Sequence, residues 1–277
     1  DIGQYDTPIL RDPEPGPAAD LVLMESTYGD RLHRDRAATL EEFGSILRAA
    51  TRDGGNVLIP AFAVGRTQEI LYELATHYAE WELDDWRVYL DSPMAIKATT
   101  IYAGHKELFD DDMVKYVSEK PMREDLKTLT MCETADQSKK INDQTGACLV
   151  MAGAGMCNAG RILHHLKANL WKPETHVLIV GYQGDGSLGR RLVDGAEVVS
   201  IFGEKILVRA KVHTLGGFSA HAGQSDLLNW FGAIAPSKPR VVLTHGENEP
   251  RETLAELIQK RYKLKPLLPD MNETVEL

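Results

Sequence analysis

Short apolar runs alternate along most of this chain with stretches whose apolar residues recur every three or four positions. Leu21 to Met24 predicts a short buried strand ending on Glu25, and the spacing of Leu40, Phe43, Ile46 and Leu47 predicts a helix over Thr39 to Ala50. Asn56 to Ile59 is strand-like and stopped by Pro60, and Arg66 to Tyr78 is helical through Ile70, Leu71 and Leu74. Val88 to Leu90 predicts the next strand, followed by a mostly polar helical region from Met94 to Thr145. Then come a strand over Cys148 to Met151, a helix over Arg161 to Leu170 and a strand over Val177 to Val180. Gly181 to Gly189 is a glycine-rich turn into a short helix over Leu188 to Val193.

Strands that alternate with helices of about ten to fifteen residues imply an α/β fold, a largely parallel sheet flanked by helices on both faces. The rhythm changes after Val198. Glu197 to Ile201 and Lys205 to His213 predict two strands joined as a hairpin at Phe202-Gly203-Glu204, which marks a change of domain. A helix over Ser225 to Ile234, a strand over Val241 to Thr244, a helix over Glu252 to Arg261 and a closing strand near Thr274 to Leu277 complete the pattern. The first twenty residues, with Pro8, Pro13, Pro15, Gly16 and Pro17, predict an extended connection.

Composition narrows the function classes. The 277 residues, 43% of them hydrophobic, suffice for a sizeable core, and the longest apolar runs are far too short to cross a bilayer. No charged-then-apolar leader opens the sequence, so neither a membrane nor a secreted protein is expected. Three cysteines without C-x-x-C spacing predict buried thiols in a reducing compartment, the cytoplasm, rather than disulfides or a cysteine zinc site. A net charge of −10 disfavours nucleic-acid binding through a broad basic surface. It leaves open a cleft with local arginine and metal charge.

The candidate chemistry gathers near strand ends. Val241 to Thr244 delivers His245 to the rim of a sheet, and Gly246 lets the backbone turn there; the histidine is structural, a ligand or a general acid. In Gly216 to Ala222, small residues flank Ser219 and His221, so the serine is either a nucleophile or a phosphate holder. Glu25 closes the first strand, where a carboxylate that accepts from a histidine N–H raises the imidazole pKa and suits it to general-acid work. Three turns follow strands: Ala61 to Gln68, with Arg66 at the start of a helix whose first amides face an anion; Asp91-Ser92-Pro93; and Gly153 to Gly160, with Gly155. Such turns line the sheet edge where α/β proteins bind ligands. His213, in a strand near these segments, is ambiguous, and the remaining histidines are read as surface or packing residues.

In their order, Asp1-Ile2-Gly3, Glu25 to Asp30, Pro60 to Gln68, Asp91-Ser92-Pro93, Gly155-Met156 with Gly160-Arg161, Gly181 to Arg190, Phe218 to Ala222 and Thr244 to Glu247 resemble the β-CASP branch of the metallo-β-lactamase superfamily. These are RNA-processing nucleases such as RNase J and the cleavage and polyadenylation endonuclease. The resemblance implies the C-terminal part of an αββα metallo-β-lactamase core, residues 1–30 and 211–277, with an inserted β-CASP domain, residues 31–210. It implies a two-metal phosphodiester hydrolysis of RNA with zinc, manganese being the alternative ion. Asp1 and His245 become metal ligands, and Glu25 with His221 becomes the proton-donating pair for the leaving oxygen. Ser219, Ala220, Ala222, Arg66, Ser92 and Gly155 become the groups that hold substrate phosphate.

The family's H-x-H-x-D-H ligands are not found in this sequence, so an upstream N-terminal metallo-β-lactamase segment is an expected partner of this chain. The other expected partner is single-stranded RNA, and a homodimer is open. A second departure is Gly223, where relatives often carry aspartate, which bears on the cap of the following helix. The alternatives are a DNA-processing nuclease of the same superfamily and a catalytically silent nucleic-acid-binding subunit.

Overall fold

A computed structural model describes residues 1–119, 122–144 and 146–275. In chain order the elements are β1 (Leu21–Glu25), α1 (Arg36–Asp53), β2 (Val57–Pro60), α2 (Arg66–Thr76), β3 (Arg87–Leu90), α3 (Pro93–Gly104), α4 (Asp111–Glu119), α5 (Met122–Asp125) and β4 (Leu129–Met131). They continue with α6 (Ala135–Ile141), β5 (Cys148–Ala152), α7 (Ile162–Asn169), β6 (His176–Ile179), α8 (Leu188–Val193), β7 (Val198–Ile201), β8 (Glu204–Leu207), β9 (Lys211–Thr214), α9 (Gln224–Ile234), β10 (Arg240–Thr244) and α10 (Asn248–Tyr262). The chain divides into two compact units, residues 1–33 with 219–277, and residues 34–218.

The second unit is built on a six-stranded sheet in the order β4-β3-β5-β2-β6-β9, parallel throughout. Its central strands are apolar at successive positions because both faces are covered. Val57, Ile59, Leu149 and Met151 pack with Phe43 and Leu47 of α1 and Ile70 and Leu74 of α2. The alternate residues Leu58, Val150, Val177 and Ile179 pack with Ile162 and Leu166 of α7 and Leu192 of α8. Period-two side chains thus serve two separate cores, one on each face of the sheet.

Four expectations change here. The polar region after Met94 is interrupted by β4, whose half-exposed Leu-Thr-Met shows no apolar run. It is held at the sheet edge by β3, with Val88 opposite Leu129. The run from Lys205 to His213 is two strands rather than one: β8 turns back on β7 antiparallel, whereas β9 joins β6. Between them the amides of Arg209 and Ala210 both bond to Leu170 O, which redirects the chain from hairpin to sheet. The hairpin therefore does not mark the boundary, because β9 and the residues to Phe218 stay with the second unit. The sequence-predicted closing strand is absent at Thr274 and Val275, and its last two positions lie outside the described residues.

The first unit carries β1 and β10 as a parallel pair, in register from Leu21 opposite Arg240 to Glu25 opposite Thr244. Val22, Met24, Val241 and Leu243 pack with Phe231 of α9 and Leu254 and Ile258 of α10. Among the described residues no helix is long and apolar enough to cross a membrane.

Candidate metal and acid–base site

Because β1 and β10 are parallel neighbours, Glu25 and His245 emerge at the same end of one strand pair. His245 takes a positive φ of 46°, a region in which histidine is among the better-tolerated residues. The turn is pinned from β1: Ser26 N donates to His245 O at 3.2 Å, and Ser26 Oγ donates to Thr244 O at 2.8 Å. A Cβ at Gly246 would meet Ser26 Oγ and stand 2.8 Å from the Ser26 carbonyl carbon and oxygen, so only glycine allows this approach.

His221 is brought to the same place by the loop before α9. Its Nδ1 lies 2.7 Å from Glu25 Oε2, and Glu25 Oε1 accepts the Ile2 amide at 2.6 Å. Burial alone would raise the Glu25 carboxyl, but His221, the Ile2 amide and Thr27 together hold it below the usual carboxylate range. The rings of His221 and His245 stand 5.2 Å apart. His245 Nδ1 is 3.3 Å from Asp1 Oδ1 and 3.2 Å from Thr27 Oγ1, which leaves its Nε2 open.

Asp1, Glu25, His221 and His245 thus present ligand atoms that all lie within 4.8 Å of one another. Of these, the exposed Asp1 carboxylate and His245 imidazole are oxygen and nitrogen donors of the kind zinc takes. Among the described residues no other group of three or more His, Cys, Asp or Glu side chains gathers in this way. The donor set fits a metal ion, with Asp1 and His245 as the exposed members and Glu25 buried behind them.

The proposed phosphate holders are less uniform. Ala222 N already donates to Ile2 O at 2.8 Å, so its amide is spent inside the unit and is corrected as an anion donor. Ser219 is buried, its Oγ accepts from His221 N at 3.3 Å and its carbonyl accepts from Gln4 Nε2. Its hydroxyl shapes the His221 loop, and Ala220 is exposed at the loop tip.

In the second unit, Arg66 is not open at a helix mouth. It is buried with its guanidinium on Glu69, and Glu69 also pairs with Arg36 at 2.7 Å. The first amides of α2 are taken as well, Arg66 N by Val64 O and Thr67 N by Phe62 O. Ser92 Oγ caps α3 through Ala95 N at 3.3 Å, and Gly155 lies beneath the ring of Phe62. His213, ambiguous from sequence, belongs to β9 and stacks on the buried His176, which also contacts Asp53.

Sequence reading gave neither Thr27 nor His33 a role in the site. Thr27 touches both Glu25 and His245, and His33 Nε2 contacts His221 O at 2.8 Å. Thr27 was legible as the second residue after a strand-end carboxylate. His33 carried no local signal, because its partner is far along the chain.

Comparison with known proteins supplies the context. Residues 67–192 match the family model described as Beta-Casp domain. Residues 205–269 match one described as Zn-dependent metallo-hydrolase RNA specificity domain. The chain is 44% identical to Ribonuclease TTHA0252 of Thermus thermophilus over 94% of its own length and 59% of that protein's. It is 30% identical to an RNase J-like protein of Methanocaldococcus jannaschii over 90% of this chain and 57% of that one. It is also 28% identical to Transcription termination factor FttA of Cenarchaeum symbiosum, over 94% and 42%. The chain therefore spans about half the length of the curated relatives it matches.

Proposed function

Because this chain belongs to the β-CASP branch of the metallo-β-lactamase superfamily, we propose that it forms part of a metal-dependent ribonuclease that hydrolyses phosphodiester bonds of single-stranded RNA. The observation that carries the reading is the 2.7 Å contact between His221 Nδ1 and buried Glu25, set beside Asp1 and His245. Asp1 and His245 would hold the metal, zinc by its donor chemistry and two ions in the complete enzyme, with manganese as the alternative. When bound, the metal supplies Lewis-acid screening of the phosphate and a lowered water pKa.

His221 delivers the proton. With Nδ1 2.7 Å from the Glu25 carboxylate, its Nε2 is the atom that protonates the departing oxygen, and general acids of this kind contribute about 100- to 10,000-fold. Glu25 acts through His221 by fixing the position of the ring. The match over residues 67–192 lies inside the 34–218 unit, which supports reading that unit as the β-CASP domain and the other as part of the metallo-β-lactamase core. An upstream segment would complete the ligand set. Cys132, Cys148 and Cys157 are buried and free, consistent with the cytoplasm, and burial pushes Cys157 up to about 12.

The test is incubation of the full-length protein with end-labelled RNA and with DNA of the same sequence. RNA cleavage is expected, slowed about a hundredfold or more by His221→Ala with bound metal unchanged. His245→Ala should lower bound zinc. An unchanged rate in the first variant, or full zinc occupancy in the second, sinks the corresponding role, and cleavage of DNA alone sinks the substrate class.

A further inference from the structure

The three strand-end turns of the second unit lie side by side, since β5 runs between β3 and β2. They enclose an open cavity of about 490 Å3 lined by Phe62, Ser92, Pro93, Met94, Gly153 and Arg161, among others. That volume is within the range of about 300–1,000 Å3 typical of small-ligand sites, and its place at the carboxyl ends of parallel strands is where such folds bind ligands.

The walls do not suit an anion. Arg161 is the cation there, but its Nη1 donates to Asp91 Oδ1 at 2.7 Å and to Cys132 O at 2.8 Å, and its Nη2 donates to Glu133 O at 2.9 Å. The carboxylate of Asp91 offsets its charge. The remaining surface is apolar, with Phe62 45% and Met94 69% exposed despite their size.

Phe62 is held in place. A Cβ added to Gly155 would lie 2.7, 2.8 and 3.1 Å from ring atoms Cδ2, Cε2 and Cγ, so the ring rests directly on the Gly155 backbone. Ser92 Oγ accepts the Ala95 amide and keeps its own hydrogen to donate. A fixed aromatic face, an apolar thioether neighbour and one hydroxyl at the edge match a flat heteroaromatic ring with acceptors on its rim.

We propose that this cavity is a nucleobase site in which one unpaired base of the RNA stacks on Phe62. The proposal rests on the ribonuclease reading and deepens it: Ser92 and Gly155 serve a base rather than a phosphate, Gly155 by leaving room for the ring. Gly155 is a positioning residue, and Phe62 and Ser92 are the contacts.

The test is binding of the full-length protein to single-stranded RNA with phosphorothioate linkages, scanned with one abasic site at each position in turn. For the wild type, one position should weaken binding about 5- to 150-fold, the range of a lost base–aromatic stack. Phe62→Ala and Gly155→Ala should bind intact RNA more weakly by a similar factor and lose the sensitivity to that abasic position. Phe62→Trp should retain the sensitivity and Phe62→Leu should lose it. The slope of log affinity against log salt should not change in Phe62→Ala, because no phosphate contact is removed. A flat abasic profile in a protein that cleaves RNA overturns the base site alone, as does a changed salt slope. A wild-type protein that neither binds nor cleaves RNA overturns the ribonuclease reading and the base site together.

Discussion

Asp91 is fully buried at the end of β3, and three groups converge on it: Arg161 Nη1 at 2.7 Å, Ser138 Oγ at 2.6 Å and His165 Nε2 at 2.7 Å. Asp91→Asn keeps the shape and removes the charge, so it isolates the electrostatic part. Breaking a buried ion pair from one side costs about 3–5 kcal/mol. Arg161 retains 22% exposure, which lets water screen part of the attraction and places the expected loss near the lower end, about 3 kcal/mol. For a chain of this size that is a fall in Tm of roughly 6–12 °C. The assay is urea and thermal unfolding followed by the fluorescence of Trp81 and Trp86, which are buried in the same unit. Asp185→Asn is the control, since the Arg190–Asp185 pair is exposed and worth about 1 kcal/mol or less. The pH dependence follows from sign. Burial would raise the Asp91 carboxyl, but His165, Ser138 and Arg161 hold it below 3.8, so the folded state favours the charged form. The advantage of wild type over Asp91→Asn should be complete above about 4 and shrink as pH falls through the lowered folded value. Coincident melts at neutral pH, or a gap that widens in acid, would refute the reasoning.

Two further predictions concern Gly246, just after β10, and His213, within β9. Gly246→Ala forces its new methyl into the Ser26 backbone, and overpacking of that kind costs about 1–3 kcal/mol; it should also displace His245, so zinc titration should show weaker binding, and wild-type affinity would refute the account. Burial first, then His176 and Lys211, hold His213 below the usual 6.5, so the unfolded chain takes up its proton first as pH falls. Stability should therefore drop as pH falls below 6.5, and His213→Gln should flatten that slope in urea melts at stepped pH; an unaltered slope counts against it.

The parallel sheet was legible because strands buried on both faces need apolar residues at every position, and that signal survives in runs of only four residues. β4 was not, since an edge strand that is half exposed needs no such run. Glu25 and His245 stood out as strand ends, but that β1 and β10 are neighbours is a contact across more than two hundred residues that no local pattern encodes. The anion donors failed for a related reason. Small residues before a helix reveal available amides, not whether a distant carbonyl has claimed them, as Ile2 O claims Ala222 N.

That distinction bears on how each unit can bind. A polar group contributes to a ligand only what the fold has not already used, since exchanging an internal hydrogen bond for an external one gains little. In the 34–218 unit the fold consumes Arg66, the first amides of α2 and two nitrogens of Arg161, while leaving Phe62 and Met94 exposed. Apolar surface left open is then the resource with most to contribute, which favours recognition by stacking over recognition by charge. In the other unit the balance is reversed. The apolar residues of β1 and β10 are largely packed away, and what the strand ends present is Asp1, His221 and His245, with Glu25 buried behind. Charge and proton transfer are what that end of the sheet can supply. On the proposed reading, an acidic chain would act on a polyanion without a basic surface by confining attraction to a bound metal and obtaining grip from rings.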